Sequence, residues 1–300
     1  MTHDATSTTS DDESIQGPRD RRESFPASGP VSARITTRSG DILVTHGDDP
    51  TVQVTLRATG SAAAHLLEQS EVRYDESTRT LYVVTAGSSV DARVGNSFGL
   101  GLGRRRSLLG AVMRDVDVSV VLPRASSVEV RTKSGDCALQ GESGDVDVAT
   151  ASGDVMIDDA RSAKVRTAAG DIVINRSRVA ASASSASGDV IVRESVGQTK
   201  VESASGDVRA ITSGDETSIA TASGDVAVEV TGPGRVVVRS ASGDVAVAVR
   251  EGLDIDVVAH SVSGHLSSAI PLSTTATSSG GEQLSVTVAT VSGDVKIVRA

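Results

Sequence analysis

Tryptophan is absent from this chain of 300 residues, which holds only two Tyr, two Phe, three Met and one Cys. So few bulky side chains exclude a core organised around aromatics. The recurrence of Val, Ala, Ser, Thr, Gly and Asp favours a thin, regular β core of small and β-branched residues. With Cys137 alone there is neither an intramolecular disulfide nor a thiolate zinc cluster, so cysteine leaves the redox compartment unset. No apolar run reaches the roughly 18 to 20 residues needed to cross a bilayer as a helix. Bases are scarce as well: 29 Lys and Arg against 39 Asp and Glu give a net charge of −10. Only Arg104, Arg105 and Arg106 cluster, so bulk charge argues against a nucleic-acid partner.

Residues 1–30 are polar, charged and Pro-containing, and lack the apolar stretch of a secretory signal. They are expected to form a disordered tail. The chain is expected to be cytoplasmic, with peripheral attachment to a membrane as the alternative.

What the sequence has is a period. A Ser-Gly-Asp turn followed by an apolar residue, with Ala169 in place of Ser and His265 in place of Asp in one copy each, recurs with its glycine at Gly135, Gly153, Gly170, Gly188, Gly206, Gly224, Gly243, Gly264 and Gly293. The steps are 18, 17, 18, 18, 18, 19, 21 and 29 residues, and the loosening at the end reads as insertions. Further turns at Gly144 and Gly214 fall halfway, so each unit of about 18 residues has two strands and two corners. The flanks alternate with period two, as in Val146 and Val148, Ile172 and Ile174, or Val245, Val247 and Val249. That is the pattern of strands with one buried face. A single coil cannot bury that face alone, so coils must stack as parallel, in-register strands near 4.8 Å apart, making a rod on the order of 40 Å long. The expected fold is all-β: a single-chain β-solenoid over residues 31–300.

Glycine at the corner follows from the need for a positive φ. The aspartate after it (Asp136, Asp154, Asp189, Asp207, Asp225 and Asp244 among others) stacks from coil to coil, where like charges repel by about 1 kcal/mol even in water. Two readings would offset this. Each carboxylate could accept hydrogen bonds from the N–H groups of its own turn, or calcium could sit between coils as in nonapeptide β-rolls. The first fits better, because there is one Gly per turn and no GGxGxDx pattern. No cofactor or metal is expected. Gly135, Gly153, Gly188, Gly206, Gly224 and Gly243 and the aspartates that follow them are thus structural turn residues.

The fold is expected to begin with Ser39–Ile42, an early copy of the turn. Ala63, Leu66 and Leu67 have helical spacing and suit a short N-terminal helix that caps the solenoid end. Residues 87–115 interrupt the strands with Gly, Leu and Arg. Phe98, Arg104, Arg105, Arg106, Leu108 and Leu109 are its candidate contacts with an anionic membrane surface or a protein partner. Catalytic signatures are missing: His3, His46, His65, His260 and His265 share no metal-ligand spacing, no GxSxG elbow has a His partner, and the GLGLG run at 99–103 lacks the Lys of a phosphate loop. Cys137 stands where other coils place Val or Ile, which marks a core position.

The order of the early SGDILV strand, LLEQSEVRYDESTRTLYV, a basic Gly-rich loop, VDVSVVLPRASSVEVRTKSGD and the SASGDV array resembles the DUF4097 family of β-strand-repeat, adhesin-like proteins over about residues 31–300. The resemblance implies a β-solenoid without established catalytic residues. The expected function is therefore non-enzymatic: binding or scaffolding of an unidentified protein partner. Self-association into a bactofilin-like filament or a membrane-associated scaffold is the alternative.

Overall fold

The computed structural model describes residues 19–88, 115–269 and 283–300. Its N-terminal elements are β1 (Arg19–Pro26), β2 (Ser32–Thr36), β3 (Ile42–Gly47), β4 (Thr51–Ala58), α1 (Ala63–Gln69), β5 (Glu71–Asp75), β6 (Thr80–Val84), β7 (Val116–Pro123) and β8 (Ser127–Arg131). Three long strands follow, β9 (Cys137–Ser152), β10 (Val155–Ala169) and β11 (Ile172–Ser187). Then come β12 (Val190–Ser195), β13 (Gln198–Ser205), β14 (Val208–Thr212), β15 (Glu216–Ser223), β16 (Val226–Val230), β17 (Gly234–Ser242) and β18 (Val245–Val249). β19 (Asp254–Ser263), β20 (Leu266–Ser268), β21 (Gln283–Ser292) and β22 (Val295–Arg299) complete the chain.

Strand pairing resolves these into a β-solenoid with two faces. The first face runs β1–β4–β7–β3–β9–β10–β11–β12–β14–β16–β18–β22–β20. The second runs β5–β6–β2–β8–β9–β10–β11–β13–β15–β17–β21–β19. β9, β10 and β11 belong to both because each passes as one strand through the corner opposite Ser-Gly-Asp, where the register shifts, between Ala160 and Ser162 against β11 and between Ile157 and Asp159 against β9. Coil-to-coil pairing is parallel and in register, as the 18-residue period requires. Inward rows from the two faces, such as Ile172, Ile174 and Val190 against Val165, Ala183 and Val201, form the buried core. Cys137 is one of these, 1% exposed, and burial pushes its thiol up to about 12.

Both ends depart from the expected plan. Residues 19–26, placed in the tail by the sequence reading, form β1 and pair antiparallel with β4 from Arg19↔Ala58 to Pro26↔Thr51. The strand is mostly polar because it is an edge of which Phe25 alone packs an apolar side chain against the core, which is why apolar alternation did not reveal it. Arg21 also donates to the carbonyls of Leu67 (2.9 Å) and Ser70 (2.6 Å), satisfying the C-terminal end of α1. The helix itself is the expected cap: it buries Ala63, Leu66 and Leu67 and carries the chain from β4 on the first face to β5 on the second.

The long final steps of the repeat are not simple insertions. β17 and β18 pair with β21 and β22, while β19 and β20 lie outside them. The chain skips one coil position, builds the outermost coil, and returns to fill the gap. The same device operates at the other end, where the β2–β3 coil lies between β6–β7 and β8–β9.

Candidate binding surfaces

Stacking brings the corner residues into a single ladder. A Cβ on Gly153 would lie 2.2 Å from the carbonyl oxygen of Gly135, and one on Gly206 2.3 Å from that of Gly188, so backbone contacts backbone at each step. Ordered by these contacts, the ten glycines run Gly40, Gly135, Gly153, Gly170, Gly188, Gly206, Gly224, Gly243, Gly293, Gly264.

The aspartates follow the same order, but their bonds correct the expectation of turn-local acceptance. Each carboxylate Oδ1 accepts from the backbone N–H one coil further on: Asp136 from Asp154 (2.9 Å), Asp154 from Asp171 (2.8 Å), Asp171 from Asp189 (2.8 Å), Asp189 from Asp207 (2.8 Å), and Asp207 from Asp225 (2.9 Å). The line begins at Asp117, which takes the N–H of Asp41, and continues through Asp225, Asp244 and Asp294. It ends where Asp294 accepts from His265 at 2.8 Å. A charge-assisted bond of about 1.5–3 kcal/mol outweighs neighbour repulsion of about 1 kcal/mol, so the ladder is stabilising without a counter-ion. Among the described residues no coil lies beyond His265 to donate to an acceptor there. Among the described residues no set of three or more His, Cys, Asp or Glu side chains gathers to hold a metal ion.

A second ladder escaped the sequence reading. Three residues before each of the ten glycines stands a Ser or Thr, and at most corners its hydroxyl donates to the carbonyl two residues on, as in Thr150 to Ser152 (2.8 Å), Thr167 to Ala169 (3.0 Å) and Thr221 to Ser223 (3.1 Å); the exceptions are Ser185, whose buried hydroxyl has no partner among the described residues, and Ser261, which donates to the Gly293 carbonyl. The signal, [ST]-x-x-G-D, was present at every corner of the ladder except that of Gly264, where His265 follows the glycine. At the opposite corner His46 is buried, its Nδ1 3.2 Å from both the Gln140 carbonyl and Ser143 Oγ. Desolvation holds its pKa below the ordinary value.

The outward side of the second face changes character along the rod. Near the N-terminal end its charges neutralise one another: Arg34 with Glu129 (3.5 Å), Arg131 with Glu129 and with Asp147 (both 3.1 Å), and Arg166 with Asp147 (3.2 Å). Such exposed pairs contribute about 0–1 kcal/mol each. Further on, the rows shrink to Ser and Ala, and a shallow groove of about 700 Å³ runs beside the corner. Its floor is the row Ala168, Ala186, Ala204, Ala222, Ala241 and Val291, flanked by Ser184, Glu202 and Arg239.

The loop residues Phe98, Arg104, Arg105, Arg106, Leu108 and Leu109 lie outside the described residues. The described residues on either side of the segment are anchored beside the corner of the β2–β3 coil, the Thr85 N–H donating to the Thr36 carbonyl and the Val116 N–H to the Ser39 carbonyl. No helix among the described residues is long and apolar enough to cross a membrane.

The family described as Toastrack DUF4097 matches residues 34–298. No curated protein matches the chain. Among solved structures, a protein named a putative adhesin from Bacteroides fragilis has 10% identity, a TM-score of 0.41, and covers 93% of this chain and 97% of its own. A second so named, from Parabacteroides distasonis, has 12% identity, a TM-score of 0.38 and coverages of 95% and 98%. A protein named a putative lipid binding protein from the same species has 8% identity, a TM-score of 0.29 and coverages of 95% and 97%.

Proposed function

This chain belongs to the Toastrack DUF4097 family, and from that premise we propose that it is a non-enzymatic binding or scaffold protein, adhesin-like in role, that presents its second face to a protein partner. The observation that carries this reading is the groove over Ala168–Val291. It crosses successive coils without interruption, and its floor of methyl groups, repeating at the coil spacing of about 4.8 Å, suits a partner that lays small apolar side chains across several coils. The Ser-Gly-Asp corner beside it is occupied by architecture. The most repeated residues therefore hold the platform, and the smallest residues form the surface.

A photoreactive residue at Ser223, beside the groove, tests the reading. Crosslinked product is expected with the native chain and is lost when Ala204→Arg fills the floor; product that survives Ala204→Arg sinks it. The same reading takes the chain as cytoplasmic or peripheral to a membrane, which fractionation of intact cells decides. Self-association is the second reading, favoured by the apolar residues of β19, beyond which no described strand lies.

A further inference from the structure

We propose that the C-terminal end of the solenoid is a contact with a second copy of this chain, in which β19 pairs antiparallel with its counterpart about a two-fold axis at Val258. The inference is independent of the groove.

The two ends of the rod are finished differently. At the N-terminal end the outermost strands are β1 and β5, which carry Arg19, Asp20, Arg22, Glu71, Arg73 and Asp75, and α1 closes the core between the faces. Charged edges of this kind discourage pairing with another chain. At the C-terminal end no described strand lies beyond β19. Val258 is 44% exposed, Val262 82% and Leu266 53%, while Ile255, Val257 and Ala259 close the core only partly.

The ladder fixes which backbone groups remain open. In the parallel stack, Thr132 N–H donates to the carbonyl of Ala149, so the row containing Ala149 turns its N–H and C=O toward the preceding coil. Strand register carries that row through Arg166, Ser184, Glu202, Ala220, Arg239 and Ala289 to His260. His260, Val258 and Asp256 therefore turn their backbone groups inward to β21, and Ile255, Val257 and Ala259 turn theirs outward.

An antiparallel partner must meet those outward groups, which leaves only registers centred on a residue. Centred on Val258, Val257 exchanges hydrogen bonds with Ala259 of the second copy. Val258 faces Val258 in the close, non-hydrogen-bonded position, and Asp256 faces His260 twice by symmetry. Centring on Ala259 sets Val258 against His260 and Asp256 against Val262; centring on Val257 sets Asp256 against Val258. Only the middle register joins apolar to apolar and acid to imidazole. The contact is isologous and closes at two copies, unlike the filament expected from stacked ends.

Sedimentation of the full chain is expected to give a dimer, and Val258→Lys a monomer whose unchanged far-UV circular dichroism and cooperative melting show it still folded. Val258→Cys is expected to oxidise to a covalent dimer, and a mixture of Asp256→Cys and His260→Cys chains to crosslink where neither does alone. A wild-type monomer at every concentration, the outcome if residues 270–282 cover the edge, overturns the proposal. So does an open-ended oligomer, or a dimer indifferent to Val258→Lys.

Discussion

Asp207 accepts the N–H of Asp225 at 2.9 Å while its own N–H is taken by Asp189 at 2.8 Å, so one residue type serves two coils. The bond needs an oxygen at the Oδ1 position; the carboxylate's charge strengthens it, and repulsion from the two neighbouring carboxylates opposes that gain. Asp207→Asn keeps the acceptor and removes repulsion from its neighbours, whereas Asp207→Ala leaves a donor to water. Urea unfolding is expected to show a loss of about 1 kcal/mol for Ala and less for Asn; equal losses would mean that the charge itself is required. Gly206→Ala is expected to cost about 3 kcal/mol or more, because φ is +118° and the added Cβ meets the Gly188 carbonyl at 2.3 Å. His46 gives the fold a pH dependence. Its folded pKa lies below the unfolded value, so the unfolded chain binds the proton first. Stability from this site is complete above the unfolded value near 6.5, falls as pH drops below it, and levels off beneath the folded pKa. Urea midpoints measured at about pH 7.5 and about pH 5.5 should differ, and His46→Gln should narrow the gap; an unaltered gap assigns the effect elsewhere.

For elements, legibility followed burial. Strands over the core declared themselves: Val226, Val228 and Val230 alternate because every second side chain is enclosed, and period two is the imprint of that enclosure. α1 was visible for the same reason, through Ala63, Leu66 and Leu67. β1 was not, since Arg21, Glu23 and Phe25 alternate on a half-exposed edge where polarity carries no penalty. The Ser and Thr hydroxyls at the corners were legible in principle, but they resemble the polar residues of any turn. The direction of the aspartate bonds was not legible at all, because it depends on which coil lies next in space and a periodic sequence contains only the interval. The groove is subject to the same limit: Ala168, Ala186, Ala204, Ala222 and Ala241 are ordinary alanines until strand register lines them up.

In the whole molecule the decisive feature is the order of coils. Chain order and spatial order agree through the middle of the rod and separate at both ends, and the aspartate ladder marks the spatial order, with His265 as its last donor among the described residues. A solenoid built in simple sequence would place the Gly264 coil directly on the Gly243 coil. Here the Gly293 coil lies between them, with Ser242↔Ser292 and Ser292↔Ser263 as neighbouring positions. This arrangement sets which strand is exposed, and hence where a second copy can bind. Pairwise cysteine substitution with mild oxidation reads it directly, since neighbouring coils lie about 4.8 Å apart and next-but-one coils near 9.6 Å, beyond the roughly 7 Å limit for a disulfide. The account predicts that Ser242→Cys with Ser292→Cys and Ser263→Cys with Ser292→Cys each form a bridge while Ser242→Cys with Ser263→Cys does not; a bridge in the last pair, with none in the first two, would contradict it.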